Sequence, residues 1–443
     1  IAQTLARGRS AICLFPEIAL TTHLEHYFLR HFPDALAIFH SRLTPQERFL
    51  VWKDVFQGNK RVVIGPRSAL FAPLQDIGLI IIDEEHETTY KQNESPRYHA
   101  RAVAAERARA AGAVLLLGGA TPSLETMYRA EAGAVKLLEL TKRVINRPLP
   151  RVTIVDMRHE VQKGKVTLLS TPLKAAMEKT LAAGESILLF LNRRGFATNI
   201  TCLACGTAVE CTHCAVPMTY HQSMQKLLCH YCARTAAPPE VCPSCGSTSL
   251  RYGGLGTERI ESLVARLFPA ARIERLDADR VRKKGAHKKI LTDFHDRKID
   301  ILIGTQMLAK GLDFPSVTLV GVINADTALM LPDFRSSERT FQLLAQVAGR
   351  AGRGPAAGTV IVQTFVPDHY AIRTAARHDY HAFFAGEIKR RRELSYPPFG
   401  RLINIIVRSR DEGVARRAAT AIRDALLPLT NPWDVDIDRK SVV

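Results

Sequence analysis

Eight of the nine cysteines in this 443-residue chain lie within residues 202–245, where they form four C-x-x-C pairs. In chain order the pairs are Cys202/Cys205, Cys211/Cys214, Cys229/Cys232 and Cys242/Cys245. A C-x-x-C turn places two sulfurs on one side of a tight knuckle, and two knuckles form the closed tetrahedral shell of a structural zinc site. Redox dithiols and an iron–sulfur cluster are the alternatives, but four knuckles with short polar spacers favour two structural Zn²⁺ ions.

The spacing leaves open which knuckles share an ion. The two inner pairs form C-x₂-C-x₁₄-C-x₂-C, close to the usual zinc-ribbon span, with residues 218–228 as a short hairpin between them. The outer pairs would then close a second site, although a sequential or crossed pairing is also possible. A module of this size has too small an apolar core to fold without metal. The ninth cysteine, Cys13, is predicted to be a buried strand residue.

The composition is typical of a soluble globular protein that binds a polyanion. Apolar residues make up 46% and charged residues 23% of the chain, which excludes wholesale disorder. No apolar run approaches the ~18 residues of a membrane span, and no signal peptide is evident, so we expect a cytoplasmic protein without a membrane partner. The formal charge of +18 favours nucleic acid as the partner, the alternative being simply a basic surface.

Short apolar runs alternate with helical stretches rich in Ala, Leu and Arg, which predicts an α/β fold with parallel sheets. In the first third of the chain, buried strands are predicted at residues 11–15, 61–65, 79–82 and 114–117. A helix is predicted to start at Thr44 as N-cap, with Pro45 as its first residue and Glu47 completing a capping box.

The third of the predicted strands leads into a group of acidic residues. The strand at 79–82 runs directly into Asp83-Glu84-Glu85-His86, here called the acid box. Ligands bind at the carboxyl ends of parallel strands. In a nucleotide-hydrolysing motor the first carboxylate holds Mg²⁺ and the next polarises the attacking water, which assigns Asp83 to the metal and Glu84 to the water. Taken alone, the acid box would be better explained as a solvated loop.

Three further motifs favour the motor. A small-residue turn at 118–125 follows the fourth strand, and an apolar run at 301–303 leads into residues 304–314. Residues 346–353 carry Arg350 and Arg353, flanked by glycines at a predicted helix end. Such arginines neutralise charge that develops in phosphoryl transfer, although singly they would equally suit a DNA-backbone contact or a solvated helix end.

With these motifs and the four-knuckle insertion, the chain resembles the PriA family of replication-restart DNA helicases, within helicase superfamily 2, over nearly its whole length. Further matching segments are residues 15–21, 67–73, 190–195, 254–258 and 333–335. The resemblance implies two RecA-like lobes with ATP between them, single-stranded DNA across their tops, and a two-zinc ribbon-like module inserted in the second lobe. It also favours the nested zinc pairing described above.

The resemblance divides the chain into five segments. Residues 1–145 would form lobe 1, residues 146–200 the start of lobe 2, residues 201–247 the zinc-binding insertion, residues 248–370 the rest of lobe 2, and residues 371–443 a linker helix and a partial C-terminal α+β domain. Residues 402–407 are expected to form a strand of that domain. The basic run at 389–392 would grip DNA or form a solvated helix face.

The resemblance also implies roles for individual residues. The catalytic set is Asp83, Glu84, Glu85, His86, Gln346, Arg350 and Arg353. The nucleotide-binding set is Gly311 and Asp313. The DNA-binding set is Tyr90, Lys91, Arg97, Tyr98, Arg101, Arg194, Thr305 and Lys310. Within it, the two tyrosines would stack on bases while the nearby cations meet phosphates, the alternative being tyrosines that pack on a helix beside solvated charges.

The implied function is that of an ATP-dependent 3′-5′ DNA helicase that recognises stalled or branched replication forks and promotes primosome assembly and replication restart. Its cofactors would be ATP with Mg²⁺ and two structural Zn²⁺ ions. Its partners would be forked and single-stranded DNA, primosome proteins, single-strand-binding protein and the loading machinery of the replicative helicase. A non-motor, zinc-containing scaffold that binds DNA and recruits replication proteins is the alternative; a superfamily 2 translocase acting on RNA is disfavoured by the spacing of the zinc insertion.

One expected motif is missing from the 443 residues, namely the phosphate-binding loop G-x-x-x-x-G-K-[ST]. In the family this loop precedes the segment that matches residues 1–5. We therefore expect a fragment that starts just past the loop, ends within the C-terminal domain, and hydrolyses ATP poorly or not at all by itself.

Overall fold

The computed structural model describes residues 1–16, 22–40, 43–140, 149–162, 168–191, 199–212, 217–221, 224–229, 234–252, 257–277, 286–305, 314–331, 333–352, 354, 357–403 and 405–429. These residues divide into two compact units, one formed by described residues up to 140 and the other by those from 149 onward. The five domain boundaries proposed from the sequence stay predictions. Within the described residues, no helix is both long enough and apolar enough to span a bilayer.

The first unit is a parallel sheet with helices on both faces. Its strands are β1 (Ser10–Leu14), β2 (Leu36–Ile38), β3 (Val62–Gly65), β4 (Ile77–Ile82) and β5 (Val114–Leu117). Its helices are α1 (Ala2–Ala6), α2 (Thr22–His31), α3 (Pro45–Phe56), α4 (Ala100–Ala111) and α5 (Leu124–Glu131), with 3₁₀ turns at Arg67–Phe71 and Thr88–Tyr90. The strand order is β2-β3-β1-β4-β5, and every pairing is parallel.

The second unit begins with β6 (Arg151–Asp156), α6 (Met157–Gln162), α7 (Thr171–Ala182) and β7 (Ser186–Phe190). The cysteine-rich insertion follows, with β8 (Ile200–Cys202), β9 (Thr219–His221), β10 (Lys226–Leu228), β11 (Thr235–Ala236) and β12 (Leu250–Tyr252). After it come α8 (Thr257–Leu267), β13 (Ile273–Leu276), α9 (Ala286–His295), β14 (Ile301–Gly304) and β15 (Val317–Val322). The unit ends with α10 (Asp326–Leu329), α11 (Ser336–Ala348), β16 (Thr359–Thr364), α12 (Tyr370–Ala376), α13 (Tyr380–Glu393), α14 (Glu412–Leu426) and a 3₁₀ turn at Leu427–Leu429.

The sheet of the second unit has the order β13-β14-β7-β15-β16-β6, and it is also entirely parallel. Central strands of a parallel sheet are covered on both faces and are therefore apolar throughout. Accordingly, all six residues of β15 and all five of β7 are buried. The two parallel sheets confirm the predicted α/β fold, and the insertion between β7 and α8 is built from small antiparallel pairings instead.

Local sequence signals hold where short-range hydrogen bonds decide the structure. Helix α3 starts at the predicted N-cap, because the Glu47 amide donates to the Thr44 hydroxyl over 3.2 Å and the Thr44 amide donates to the Glu47 carboxylate over 2.8 Å. The hairpin predicted between the inner cysteine pairs is present as β9 paired with β10.

Two strand predictions need correction. Strand β5 was expected to be buried, yet Val114 is 63% exposed and Leu116 is 44% exposed, because β5 is an edge strand and only its other face packs against the core. The segment predicted as a C-terminal strand forms no strand in the described residues 401–403 and 405–409. Its described leucine and isoleucine side chains are exposed, with Ile403 at 87%, because no described strand pairs with the segment.

Candidate nucleotide, DNA and zinc sites

The acid box follows β4 at the carboxyl end of the first sheet, as the sequence predicts. The Asp83 amide donates to the Leu14 carbonyl at the end of β1, over 3.0 Å, which fixes the box beside the neighbouring strand. Burial raises the pKa of the Asp83 carboxyl above its ordinary value. No described cationic side chain pairs with Asp83, so this desolvated carboxylate suits an oxygen-binding cation such as Mg²⁺.

Glu84 and His86 lie on the same side of this turn. Glu84 Oε2 is 3.6 Å from His86 Nδ1, and the Glu84 backbone has a φ of +46°, a strained conformation for a residue with a side chain. The predicted small-residue turn covers them, since a Cβ on Gly119 would lie 3.5 Å from His86 Nδ1 and 3.7 Å from Glu84 Oε2. The structure therefore brings Asp83, Glu84 and His86 together beneath residues 118–119.

Glu85 has a different environment from the rest of the acid box. It is 1% exposed, and its Oε1 accepts from the Ser123 amide at the N-terminus of α5 over 2.6 Å. Its Oε2 accepts from Arg101 over 2.7 Å and from the Thr126 hydroxyl over 3.1 Å. The prediction that Glu85 is catalytic is not supported, because this carboxylate is enclosed by protein donors.

Arg101 is the cation of that enclosed group. Its Nη1 also contacts the Ser123 hydroxyl, and its side chain is only 21% exposed. The Arg101 guanidinium is thus engaged by protein groups, and this environment does not support the predicted phosphate contact, which stays a prediction. Arg101 instead ties the first turn of α4 to the acid box and to α5.

Tyr90 also departs from its predicted role. Its ring is 1% exposed, and its hydroxyl lies 2.7 Å from the Asp83 carbonyl and 3.1 Å from the Leu14 carbonyl. Base stacking needs an accessible ring face. Tyr90 therefore cannot be one of the two stacking tyrosines; it supports the backbone of the acid box from within the core.

The rest of the loop after the acid box remains accessible. An isolated antiparallel bridge joins Lys91 to His99 and closes the loop at its base, while Lys91 and Arg97 are exposed. Tyr98 is half-buried and meets the ring of Phe71 edge to face, with the ring centroids 5.1 Å apart.

The DNA-binding residues predicted from the sequence did not include Phe71. In the structure its side chain is 56% exposed. A signal was present in Leu70-Phe71, two large apolar residues at the end of a short 3₁₀ turn. Successive side chains of such a turn point in different directions, so only one of them can enter the core. Leu70 is the buried one, at 0% exposed.

In the second unit, Thr305 directly follows β14 at the carboxyl end of that sheet. Gln346 lies in the last turn of α11 and Arg350 just beyond its C-cap Gly349, and both are half-buried. The predicted helix end is thus confirmed. The remaining predicted residues, Arg194, Lys310, Gly311, Asp313 and Arg353, lie outside the described residues.

The basic run at 389–392 is neither a uniform DNA grip nor a uniformly solvated face. Arg391 is 1% exposed, and it donates to Glu338 of α11 over 2.6 Å and to Glu387 over 3.1 Å. Lys389 is exposed. The Arg390 guanidinium lies 4.0 Å from the centroid of the Tyr370 ring.

The structure groups four of the eight predicted zinc ligands. Four sulfur atoms lie within 4.8 Å of one another, those of Cys202, Cys205, Cys242 and Cys245. We call these residues the outer cluster. The Cys202–Cys245 and Cys205–Cys242 sulfur distances are both 3.7 Å. Sulfurs bound tetrahedrally to zinc at about 2.3 Å would be roughly 3.8 Å apart. The donor set and its spacing therefore fit one Zn²⁺ ion, in the grouping expected from nested pairing.

Of the inner cysteines, Cys211 and Cys229 are buried in the same small apolar cluster as Met218 and Leu227. Cys214 and Cys232 lie outside the described residues, and their zinc binding stays a prediction. A sequence signal distinguishes the outer knuckles, because each is followed by glycine: Gly206 has a φ of +80° and Gly246 a φ of +72°. These are left-handed conformations that favour glycine.

Two family models match the second half of the chain. Residues 211–236 match the PriA DNA helicase Cys-rich region domain, and residues 256–355 match the helicase conserved C-terminal domain. Together they account for the inner cysteines and for the segment from α8 through α11.

Proteins named replication restart protein PriA match almost the whole chain. The Bacillus subtilis protein is 48% identical over 421 residues, which is 95% of this chain and 52% of that protein. The Treponema pallidum protein is 46% identical over 98% of this chain and 65% of its own length, and the Synechocystis protein 43% identical over 96% and 53%. The chain thus spans between about half and two thirds of the length of these relatives. Family models and relatives agree along the sequence, and the chain is similar to PriA proteins over nearly all of its own length and over about half to two thirds of theirs.

Proposed function

We propose that this chain forms the motor part of an ATP-dependent 3′-5′ DNA helicase that acts at stalled or branched replication forks and promotes primosome assembly and replication restart. Its similarity to replication restart proteins supports this function. The observation that carries the proposal is the acid box, in which Asp83 and Glu84 lie at the carboxyl end of a parallel sheet and no cation among the described residues pairs with Asp83.

In the proposed reaction, Asp83 holds Mg²⁺ and Glu84 orients and deprotonates the attacking water. When bound, ATP would supply the phosphoryl group, and Mg²⁺ would neutralise the negative charge that develops on it. His86 lies beside Glu84 and restricts its orientation. Gln346, Arg350, Arg353, Gly311 and Asp313 keep their predicted roles toward the nucleotide as part of this proposal. Because the proposed substrate is chromosomal DNA, a cytoplasmic location is part of this proposal.

The DNA contact is proposed at the edge-to-face pair of Phe71 and Tyr98. An exposed aromatic ring stacks on any base, and nearby cations follow the phosphate backbone. Phe71 provides the accessible ring, and Lys91 and Arg97 are exposed cations of the adjoining loop. Arg194, Thr305 and Lys310 are proposed to contribute further contacts. The charge of +18 supports attraction to DNA, single-stranded or forked.

The partner proteins are proposed from the family alone: other primosome proteins, single-strand-binding protein and the loading machinery of the replicative helicase. Two structural Zn²⁺ ions, one in the outer cluster and one on the inner cysteines, complete the proposed cofactors.

The first experiment measures DNA-stimulated ATP hydrolysis by this chain and by the same chain extended through its native upstream sequence. Activity in the extended protein that falls about 10²- to 10⁴-fold in Glu84→Gln supports the proposal, because a general base contributes that much. Glu106→Gln is the control, since Glu106 is an exposed carboxylate of the same unit that pairs with Arg109 on the helix surface. Absence of hydrolysis in both proteins, with fork binding retained, would favour a scaffold instead.

The second experiment tests the DNA contact by fluorescence anisotropy with a labelled single strand. Phe71→Ala should weaken binding by about 1–3 kcal/mol, the usual contribution of a stacked base. Phe49→Ala is the matched control, because Phe49 is 62% exposed on α3. Equal effects of the two substitutions would reject stacking at Phe71.

A further inference from the structure

The two knuckles of the outer cluster are built alike. The Gly206 amide donates to the Cys202 carbonyl and the Gly246 amide to the Cys242 carbonyl, each over 2.9 Å. Both glycines have positive φ angles, +80° and +72°. As isolated turns the knuckles would tolerate substitution equally.

Their surroundings differ, because only the first knuckle packs against the sheet of the second unit. A Cβ on Gly206 would lie 2.3 Å from the Phe365 carbonyl oxygen, whereas a Cβ on Gly246 would meet no atom of the described residues within 4 Å. Leu203, inside the first knuckle, is 8% exposed and belongs to the same hydrophobic core as Phe365. Cys245, in the second knuckle, is exposed.

Strand β12 of the insertion adds a second contact to the same residue. Its Arg251 guanidinium lies 5.5 Å from the centroid of the Phe365 ring. Arg251 pairs with Thr201 of β8, one residue before Cys202. The first knuckle and the strand pair that carries it therefore both lie against Phe365, the knuckle at its carbonyl and Arg251 at its ring.

Phe365 is the residue that follows β16, at the carboxyl end of the sheet. Its amide donates to the Asp326 carboxylate over 2.8 Å, and the Thr364 hydroxyl contacts the same carboxylate. Asp326 is the first residue of α10, which follows β15. The backbone of Phe365 thus links the first knuckle on its carbonyl side to the ends of β15 and β16 on its amide side.

We propose that zinc binding by the outer cluster clamps the carboxyl end of the second sheet. Closing the four-sulfur shell holds residues 202–206 in the one conformation that fits against Phe365, and Phe365 in turn holds the Asp326 contacts. This gives the outer zinc a role inside the sheet, beyond the helicase function proposed above and independent of ATP hydrolysis.

The first test compares Cys245→Ser with Cys229→Ser, in the outer and inner sets respectively. Zinc content is measured by atomic emission, and hydrogen exchange is measured at the amides of Phe365 and Val366, which donate to Asp326 and to the Thr364 hydroxyl. Each variant is expected to lose one zinc. Exchange at the two amides should accelerate about tenfold or more in Cys245→Ser, as for a local loss of roughly 1.4 kcal/mol, and stay unchanged in Cys229→Ser.

The second test uses the two glycines as a matched pair. Gly206→Ala and Gly246→Ala introduce the same backbone strain, but only the former forces a Cβ against Phe365. Faster exchange at Phe365 in Gly206→Ala alone supports the clamp. Should Gly206→Ala fail to fold while Gly246→Ala folds, Leu203→Ala provides the milder probe and is expected to accelerate the same two amides with zinc still bound.

The proposal is overturned if Cys245→Ser loses its zinc while Phe365 and Val366 keep wild-type exchange. It is also overturned if Gly206→Ala and Gly246→Ala behave identically, or if Cys229→Ser accelerates these amides as much as Cys245→Ser. None of these readouts depends on ATP or DNA, so failure of the clamp and failure of the proposed helicase function are distinguishable.

Discussion

At the level of single residues, two arginines of one segment differ in exposure and in their partners. Arg97 is exposed in the loop after the acid box, whereas Arg101 lies four residues later against the enclosed carboxylate of Glu85. Removing one member of a buried ion pair leaves a charge without compensation, which is far more costly than removing an exposed charge.

We predict that Arg101→Met lowers the free energy of unfolding of the first unit by about 3 kcal/mol. Arg97→Met should change it by less than about 0.5 kcal/mol but should weaken binding to single-stranded DNA. Chemical denaturation and anisotropy on both variants measure the two effects. Equal stability losses would contradict the assignment of Arg101 to the core.

Asp326 provides a pH-dependent contribution to stability. Burial raises the pKa of its carboxyl to about 6, against an ordinary value of 3.8. At pH values between these two, the folded protein keeps a proton that the unfolded chain has already lost. The stabilisation is therefore complete below the unfolded pKa and disappears as pH rises through the folded pKa.

We predict that the wild-type protein loses roughly 1 kcal/mol of stability more than Asp326→Asn when the pH rises from about 5 to about 7.5. Subtracting the variant removes the contributions of other carboxylates, such as Asp156 and Asp300, whose pKa values are lowered by arginine partners and which act in the opposite direction. Parallel pH profiles of the two proteins would show that Asp326 does not titrate as proposed.

At the level of secondary-structure elements, α13 is joined to α11 and α12 by one buried charge. Arg391 donates to Glu338 on α11 and to Glu387 on its own helix, and Glu387 also accepts from the Tyr370 hydroxyl on α12. All three helices therefore depend on one guanidinium, and α11 is the helix that carries Gln346.

Arg391→Met is expected to destabilise the second unit by about 3–5 kcal/mol, because two buried carboxylates lose their cation. Lys389→Met, on the exposed face of the same helix, should leave stability nearly unchanged. Thermal and urea unfolding of both variants provide the measurement. A second comparison, Arg391→Met with Glu338→Leu in one chain, should recover part of the loss, since it removes one of the two buried carboxylates that lose their cation and leaves only Glu387 of the pair uncompensated.

At the level of the whole molecule, the two units differ in their dependence on metal. All described cysteines except Cys13 belong to the second unit, and Cys13 is buried within β1. Metal binding to cysteine thiolates contributes directly to folding free energy. Zinc should therefore stabilise one unit and leave the other unaffected.

Differential scanning calorimetry is expected to resolve two transitions, of which only one moves to lower temperature when zinc is removed by a chelator at neutral pH. The transition that stays in place should be the one lowered by Arg101→Met, which identifies it as the first unit. A shift of both transitions on chelation would show that the first unit also depends on the metal.

Features that depend on local spacing were predictable from the sequence. The alternation of short apolar runs with helical stretches predicted the parallel sheets, and Thr44 with Glu47 predicted the start of α3. The predicted strand at 79–82 implied that Asp83 lies at the carboxyl end of a sheet. The C-x-x-C spacing predicted the zinc knuckles. These properties follow from neighbouring residues, whose geometry is set by the backbone over a few positions.

Only the tertiary structure decided which side chains face solvent and which charges meet. The tertiary structure buried Tyr90 and exposed Phe71, and it enclosed Glu85 with Arg101. It also paired Arg391 with Glu338, a residue 53 positions away in the sequence. It also placed Gly206 against Phe365 and left space among the described residues for a Cβ at the equivalent Gly246. Each of these outcomes depends on how distant segments pack together, and local periodicity and spacing do not carry that information. The residue types of a loop therefore predicted that a site lies there, but tertiary packing decided which of its side chains are accessible.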